Sequence, residues 1–343
     1  MENIHRRQFL KAGALAAGAL AAGRFGMGAA SAAGDATLTL YNGQHAHTTA
    51  ALVDVFTKTT GVKVNIRKGS SSQLANQIIE EGDASPADVF YSEESPPVAA
   101  LAERGLLSKL ADDTLKQVPE AYVARDGTWT GASMRSRVVA YNKALVKESE
   151  FPDSVLDFAT EAWKDRIAYV PTSGAFQEQI VAIEQLKGRD AALGWLKGLK
   201  AYGRSYNGNG AAMKAVEAGE IPAALINNYY WFNVAKEVGD ANMKSALFYF
   251  GHKDPGALIT VSAAGILKSS KKQGTAQKFL AFMVSAAGQE AIAGSVAEYP
   301  VRAGVTSPYA LKPFGELDPP DVTPADLGDA SDALVLEREA GLV

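Results

Sequence analysis

The chain has 343 residues, of which 47% are hydrophobic and 21% are charged, and this composition is typical of a globular protein with room for two domains. Its formal net charge of −4 argues against a nucleic-acid-binding protein, which usually carries a basic face. The chain contains no cysteine, which excludes disulfide bonds, thiolate metal sites and a cysteine nucleophile.

The first 34 residues have the pattern of an export signal. Arg6 and Arg7 precede a short apolar run rich in alanine and glycine, and Ala-Ser-Ala at 30–32 is a typical cleavage signal. The run is too short and too rich in small residues for a membrane span. The paired arginines closely resemble a twin-arginine (Tat) signal, with a general secretory signal as the alternative. We therefore expect residues 1–34 to be a Tat-type signal peptide, cleaved after Ala32, and the mature protein to be soluble in the periplasm.

The region after the signal alternates strands with helices. Segments at 36–43, 62–66 and 87–93 are predicted strands, because they are rich in residues that favour β-structure. Between them, apolar residues recur at helical spacing, and Gly61 and Gly82 mark the ends of the two helices. Strand–helix alternation with short connections predicts an α/β fold with parallel strands.

A second α/β region begins near residue 154. Its main predicted elements are a helix at 155–165, strands at 167–171, 223–227 and 257–267, and one long helix at 275–294. A Pro/Asp-rich segment at 315–327 is a predicted surface loop before the last helix. Two such regions without a glycine-rich dinucleotide fingerprint predict two lobes with a cleft between them.

Polar clusters follow four of the predicted strands. Ligands of open α/β sheets bind beyond the carboxyl ends of the strands, so these clusters are expected to meet in the cleft. The clusters are His45 and His47, Glu93 and Glu94, the segment 172–176 with the sequence TSGAF, and Asn227, Asn228, Tyr229 and Tyr230.

One imidazole, one carboxylate and two phenols form no obvious catalytic triad, but they are suitable metal ligands. Carboxylate and phenolate are hard anionic oxygen donors, which suit a hard and highly charged cation. Glu93, Tyr229 and Tyr230 would supply three negative charges, which match Fe³⁺ and exceed the charge of Zn²⁺ or Ca²⁺. Because the pKa of a free phenol is about 10, only a strong Lewis acid displaces both protons near neutral pH.

Four protein ligands leave an octahedral ion two positions short, and an anion could fill them. Ser173, Gly174 and Ala175 lie between a predicted strand and a predicted helix, so their backbone N–H groups would face the cleft as an anion site. Asn209 and Asn227 could add side-chain amides.

Each cluster taken singly has an ordinary explanation. A Tyr-Tyr-Trp run more often forms an amphipathic wall or a sugar-stacking surface, and a lone glutamate is usually solvated. Arg135 and Arg137 could pair with acids in the cleft or form a surface pair, and His47 and His252 are expected at the surface. Only the co-occurrence of the clusters favours a metal, and periodicity alone leaves an organic-ligand site equally open.

Eight segments, in order across residues 35–343, strongly resemble the periplasmic ferric-ion-binding proteins of bacterial ABC iron importers. These segments are YNGQH, EEGDASPADVFYSE, RSRVVAYN, IAYVPTSGAFQEQIVAI, WLKGLKAYG, ALINNYYW, HKDPGALIT and AEYP. The resemblance implies a two-lobed type II periplasmic-binding fold with a central cleft and a β-strand hinge. The expected N-terminal lobe comprises 35–135 and 260–310, the C-terminal lobe 136–259 and 311–343, and the hinge lies near 132–140 and 258–264.

The resemblance also implies a ligand set and a partner. Fe³⁺ would be held by His45, Glu93, Tyr229 and Tyr230, with a synergistic anion, phosphate or carbonate, completing the shell. The anion would be contacted by Ser173, Gly174, Ala175, Asn209 and Asn227. The expected partner is an inner-membrane ABC permease, and the protein is expected to be a monomer without enzymatic turnover.

Two features separate this chain from parts of the family. Some relatives need no external anion and place a further tyrosine near Ser173, whereas TSGA here favours the anion-dependent branch. The residue after the ligand carboxylate is often glutamine in that branch, but here it is Glu94, which leaves the identity of the anion open.

Two rival functions remain at this stage. The alternative is a receptor of the same fold for a small organic solute, such as a sugar, a polyamine or a thiamine-like molecule. A hydrolase that uses Glu93 and Glu94 as an acid–base pair is disfavoured, because adjacent side chains on a strand point to opposite faces.

Overall fold

The computed structural model describes residues 37–343, and the predicted signal peptide at 1–34 lies outside these residues. Within 37–343 there are eleven strands and eleven α-helices. The strands are β1 (Leu38–Asn42), β2 (Val64–Lys68), β3 (Val89–Ser92), β4 (Leu107–Ser108), β5 (Trp129–Asn142), β6 (Ile167–Tyr169), β7 (Arg204–Ser205), β8 (Ala223–Asn227), β9 (Ser245–Phe248), β10 (Ile259–Leu267) and β11 (Tyr299–Pro300). The helices are α1 (Ala46–Thr60), α2 (Ser71–Glu81), α3 (Pro96–Glu103), α4 (Asp112–Leu115), α5 (Gly174–Lys187), α6 (Arg189–Tyr202), α7 (Asn209–Ala218), α8 (Tyr229–Val238), α9 (Gln273–Met283), α10 (Ala286–Ser295) and α11 (Ser331–Ala340).

The strands follow the order β2-β1-β3-β10-β5-β8-β6-β7, with β4 and β11 beside the first group and β9 beside the second. β1 pairs in parallel with β2 and β3, and β6 pairs in parallel with β7 and β8. β10 and β8 pair with β5 in antiparallel orientation. The predicted α/β fold with parallel strands is therefore present in both groups, and antiparallel strands join them.

β5 is shared by the two strand groups. Its residues from Trp129 to Ser136 pair with β10, and those from Arg137 to Tyr141 pair with β8. The partner changes between Ser136 and Arg137 without a break in the strand, and all fourteen residues are buried. The hinge predicted at 132–140 falls on this change of partner. Residues 37–343 form one compact unit by their contacts, so the lobe boundaries and the hinge motion stay predictions.

Each strand group has its own apolar layers. In the first, Phe56 of α1 meets Phe279 of α9 edge to face, with ring centroids 4.9 Å apart. In the second, Trp195 and Leu196 of α6 share a core with Leu336 of α11. No helix of residues 37–343 is both long and apolar enough to cross a bilayer.

The predicted helix at 155–165 is wrong. The chain forms two 3₁₀ turns there, separated by Thr160 in an extended conformation. Tertiary hydrogen bonds replace the helical ones, because the Trp195 indole donates to the Val155 carbonyl at 3.0 Å and the Val155 N–H donates to Asp254 Oδ1 at 3.0 Å. A local pattern cannot reveal these distant partners.

The single helix predicted at 275–294 is also wrong, because the structure divides it into α9 and α10. Ser285 lies in an extended conformation at the break, and its hydroxyl accepts a hydrogen bond from the Gly288 N–H at 3.2 Å. This is a helix N-cap, which replaces helical hydrogen bonds at the start of α10. Serine favours N-cap positions, but Ser285 lies inside a continuous helical pattern, which by itself predicts one helix.

Two glycines of α6 provide a matched test of the packing against the 3₁₀ turns. A methyl group at Gly198 would collide with the backbone carbonyl of Ala159, whereas nothing lies within 4 Å of the corresponding position at Gly194. We expect Gly198→Ala to lower the free energy of unfolding by about 2 kcal/mol through overpacking. Gly194→Ala should raise it by about 0.5–1 kcal/mol through helix propensity. Urea unfolding followed by circular dichroism measures both, and effects of the same sign would contradict this packing.

Candidate metal centre

The polar clusters predicted at the strand ends meet around one cavity of about 200 Å³. Its lining includes eight of the nine predicted site residues, namely Glu93, Ser173, Gly174, Ala175, Asn209, Asn227, Tyr229 and Tyr230. The ninth, His45, lies beside the cavity against Glu93 and Tyr229. The fold thus brings together residues from four strand-to-helix connections, as expected for strand ends. These are the β1–α1, β3–α3, β6–α5 and β8–α8 connections.

The two tyrosines begin a helix. Asn227 ends β8, and α8 starts at Tyr229, so the turn predicted after the strand is the first turn of α8. The side chain of Asn228 fixes this entry, because its Oδ1 accepts from the Ser136 N–H at 3.0 Å and its Nδ2 donates to the Ala297 carbonyl at 2.8 Å. The rings of Tyr229 and Tyr230 lie 4.2 Å apart between centroids, and both line the cavity.

Three of the four candidate donors contact one another directly, and the fourth, Tyr230, packs against Tyr229. The Tyr229 hydroxyl donates to Glu93 Oε1 at 2.8 Å, and His45 Nδ1 lies 3.7 Å from Glu93 Oε2. The His45 ring meets Tyr229 edge-on, with centroids 5.1 Å apart. One nitrogen and three oxygen donors therefore converge from three separate connections.

Burial keeps both phenols protonated in this structure. Desolvation by burial, reinforced by the charges of Tyr230 and Glu93, raises the pKa of Tyr229 well above 10. Burial and the Glu93 charge also raise the pKa of Tyr230. A cation that uses these oxygens must therefore displace two protons, which requires a strong Lewis acid.

Glu94 lines the same cavity as Glu93. The prediction that the two carboxylates point to opposite faces was wrong, because β3 ends at Ser92 and strand alternation no longer applies after it. Glu94 packs against the start of α5, where a Cβ on Gly174 would lie 2.8 Å from its carboxyl carbon. Burial and the charge of Glu93 raise the pKa of Glu94 to about 8.

Three helices point their N-termini at the cavity. α5, α7 and α8 begin at Gly174, Asn209 and Tyr229, and all three residues line it. The first N–H groups of a helix have no partner within the helix and carry the positive end of its dipole. Asn209 Nδ2 donates to the Ser173 hydroxyl at 2.9 Å. Helix N-termini of this kind are suited to binding an anion beside the oxygen donors. Asn209 was predicted to contribute its side-chain amide, but the N-terminus of α7 was not predicted from the sequence.

Arg135 and Arg137 are buried behind the cavity, which excludes the surface pair considered from the sequence. Arg137 Nη1 donates to Asn227 Oδ1 at 3.1 Å, and its Nε and Nη2 donate to Gln179 Oε1 at 3.2 and 3.1 Å. Burial lowers the pKa of Arg137 to about 10. Arg135 lies 3.9 Å from Glu298, and both side chains are fully buried. Arg137 thus holds Asn227 in place from the shared strand.

The two histidines predicted at the surface, His47 and His252, are exposed. The ring of His47 stacks on His45 with centroids 5.7 Å apart, but it is His45 whose Nδ1 lies 3.7 Å from Glu93. Within residues 37–343, no three side chains of histidine, aspartate or glutamate are grouped as a metal site. A metal centre here depends on the phenols.

Comparison with known proteins agrees with this architecture. Residues 51–314 match the family model of bacterial extracellular solute-binding proteins, and residues 3–23 match the twin-arginine translocation signal. The major ferric iron-binding protein of Neisseria meningitidis is 48% identical over 312 residues, which cover 90% of this chain and 93% of that protein.

Two solved structures are also similar. Iron-bound HitA from Pseudomonas aeruginosa has a TM-score of 0.86 at 54% identity, covering 89% of this chain and 99% of that chain. The Trichodesmium protein IdiA (FutA), in complex with iron and citrate, has a TM-score of 0.78 at 32% identity with the same coverage.

These matches confirm the predicted two-lobed fold, the export by a twin-arginine signal to the periplasm, and the resemblance drawn from the eight segments. The chain belongs to the bacterial extracellular solute-binding protein family.

Proposed function

We propose that this protein captures ferric iron in the periplasm, together with an anion, and delivers it to an ABC importer of the inner membrane. The observation that carries the proposal is the direct contact of Tyr229, Glu93 and His45 beside three helix N-termini. The names of the similar proteins, a major ferric iron-binding protein and iron-bound HitA, support the same cargo.

Each donor has a distinct part in the proposed site. Tyr229 and Tyr230 provide two phenolates, Glu93 provides a carboxylate, and His45 provides a neutral nitrogen. Three negative charges compensate the trivalent cation, so the loaded site is close to neutral without further protein ligands. The hydrogen bond from Tyr229 to Glu93 would be given up when the cation displaces the phenol proton, which is released to solvent.

The proposed anion lies at the start of α5. The N–H groups of Gly174 and Ala175, the hydroxyl of Ser173 and the amides of Asn209 and Asn227 surround this part of the cavity. Phosphate or carbonate fits these donors, since both present several oxygen atoms to N–H groups. Glu94 lines the same cavity, and above its raised pKa, where it is ionised, it disfavours highly charged anions.

Lobe closure is the proposed mechanism of capture. The proposed first lobe comprises 35–135 and 260–310, and the second comprises 136–259 and 311–343. The two lobes would rotate relative to each other about β5 and β10, near 132–140 and 258–264. β5 changes partner at the centre of the first segment, which is where a rotation would leave both sets of strand pairs intact. The protein is proposed to act as a monomer without chemical turnover, and the permease would distinguish the closed form from the open form.

An organic solute is the less favoured cargo. The cavity at the tyrosines measures about 200 Å³, below the roughly 300–1,000 Å³ of typical small-molecule pockets. The rings of Tyr229 and Tyr230 pack against each other, and the Tyr229 hydroxyl binds Glu93. This arrangement is less suited to stacking on a sugar or another organic ring.

Ferric citrate added to the purified protein in phosphate buffer should give a visible phenolate-to-iron charge-transfer band. Tyr229→Phe and Tyr230→Phe should each weaken the band and reduce iron affinity by at least about 100-fold, because each removes an anionic ligand. His47→Ala, which changes an exposed ring beside His45, is the matched control and should leave affinity unchanged.

Titration against a competing chelator gives the affinities. A colourless protein, or tyrosine variants that bind iron as the parent does, would refute the proposed site. A loss in His47→Ala equal to that of the tyrosine variants would show that the histidine ligand is assigned wrongly.

Iron binding should release about two protons from the tyrosines near pH 7, because burial holds both phenols protonated until the cation arrives. Affinity should therefore fall as the pH falls, since protons compete with iron for the same oxygens. Calorimetric titrations in buffers of different ionisation enthalpy count the protons. Each tyrosine variant should release about one proton fewer, and an unchanged count would contradict phenolate ligation.

At pH 9, above the Glu94 pKa of about 8, Glu94→Gln should strengthen anion binding by the iron-loaded protein about tenfold, because it removes a negative charge beside the N-terminus of α5. Glu80→Gln, an exposed change on α2, removes the same charge at a distance and should have no effect. Phosphate titration of the charge-transfer band in a phosphate-free buffer measures both. Equal phosphate affinities in the two variants would mean that Glu94 does not face the anion.

A further inference from the structure

A second and larger cavity lies outside the candidate metal centre. It measures about 400 Å³, and none of its lining residues belongs to the proposed iron or anion sites. It is formed by β11, the irregular segment that follows it, and Met134 of β5. We call it the Tyr299 pocket, and the residues used below to describe it are Tyr122, Met134, Tyr299, Arg302, Lys312 and Phe314.

Aromatic rings form the walls of the Tyr299 pocket. Phe314 packs against Tyr299 with centroids 5.4 Å apart and an interplanar angle of 66°, and against Tyr122 at 6.5 Å and 79°. The Tyr299 hydroxyl donates to the Lys312 carbonyl at 2.8 Å, which connects β11 to the later segment that also lines the pocket. Rings that are fixed edge to face in this way present a stable apolar surface to a flat molecule.

The charged side chains that line the Tyr299 pocket are all positive. Arg302 and Lys312 line the pocket, and no aspartate or glutamate does. Within residues 37–343, neither cation lies within 4.0 Å of a carboxylate. Arg302 Nη1 instead donates to Gln117 and to the Val284 carbonyl, and the Lys312 ammonium lies 5.3 Å from the centre of the Tyr249 ring. Neutral partners position both cations, so their charges are not neutralised in a chain that is acidic overall.

An apolar aromatic interior with two cations and no acid is complementary to one class of ligand. We propose that the Tyr299 pocket binds a small planar aromatic carboxylate, with its rings against Tyr299 and Phe314 and its carboxylate toward Arg302 and Lys312. The volume is within the range of small-molecule sites and accommodates one or two fused rings. The proposal is independent of iron binding, because the two cavities share no residue.

The experiment compares 1-naphthoate with its neutral analogue 1-naphthamide by calorimetry. The exported protein is saturated with ferric iron and kept in excess phosphate, so that the other candidate anion site is occupied. Naphthoate should bind with a Kd below about 1 mM. Naphthamide should bind at least about fivefold more weakly, because it lacks the charge. An absence of naphthoate binding, or equal binding of the two molecules, would overturn the proposal.

Variants without the charges of Arg302 and Lys312 test whether the naphthoate carboxylate binds beside these residues. The double variant Arg302→Gln, Lys312→Gln should weaken naphthoate about tenfold and leave naphthamide unchanged. Lys68→Gln, Lys197→Gln makes the same change in net charge at exposed positions outside the pocket and should behave as the parent does. Equal losses in the two double variants would attribute the effect to overall charge and reject the assigned cations.

A variant that fills the Tyr299 pocket tests whether the ring system of the ligand binds there. Thr306 is exposed and lines the pocket, so Thr306→Trp can occupy the cavity without disturbing the core. We expect this variant to keep the circular dichroism spectrum of the parent and to lose binding of both naphthoate and naphthamide. A folded Thr306→Trp protein that still binds naphthoate as the parent does would place the ligand elsewhere and end the proposal.

Discussion

The rest of the structure depends on the burial of one strand, β5, between two sets of partners. Its backbone pairs with β10 up to Ser136 and with β8 from Arg137 onward, so neither strand group is complete without it. Arg137 stands at the change of partner and binds Asn227, the last residue of β8. The element that connects the groups therefore also positions the connection from which both tyrosines project. A buried arginine is tolerated at this point because each of its donating nitrogens has an amide acceptor.

The candidate metal centre combines groups of opposite polarity in a small cavity. Its lining includes Glu93, Tyr229 and Tyr230 together with the first residues of α5, α7 and α8, whose N-termini contribute positive potential. Burial, together with the charge of Glu93, raises the pKa of Glu94, so ionising both carboxyl groups is costly without a cation. In the proposed site a trivalent cation would lower this cost, because it would lie between these oxygens and the proposed anion. Cation and anion would then stabilise each other's binding.

The sequence predicted which polar residues come together better than it predicted several elements. His45, Glu93 and Tyr229 were expected to meet because they follow apolar strands, and the fold brings the ends of parallel strands together. The 3₁₀ turns near Val155 could not be predicted, since they depend on an indole and a carboxylate from distant segments. The prediction that Glu93 and Glu94 point to opposite faces failed because strand alternation was applied to two residues beyond the end of β3.

Strand alternation does apply within β5, and it relates the two cavities. Ser133 and Arg135 lie on one face of the strand, where both meet Glu298, and Met134 lies on the other face, in the wall of the Tyr299 pocket. The same backbone thus carries the polar interior behind the tyrosines on one side and an apolar pocket on the other. A molecule seated against Met134 would touch neither iron nor anion, but it would press on the strand about which closure is proposed. Because close-packed interiors transmit strain and the two cavities share no residue, any effect of such a molecule on iron capture would arise through β5.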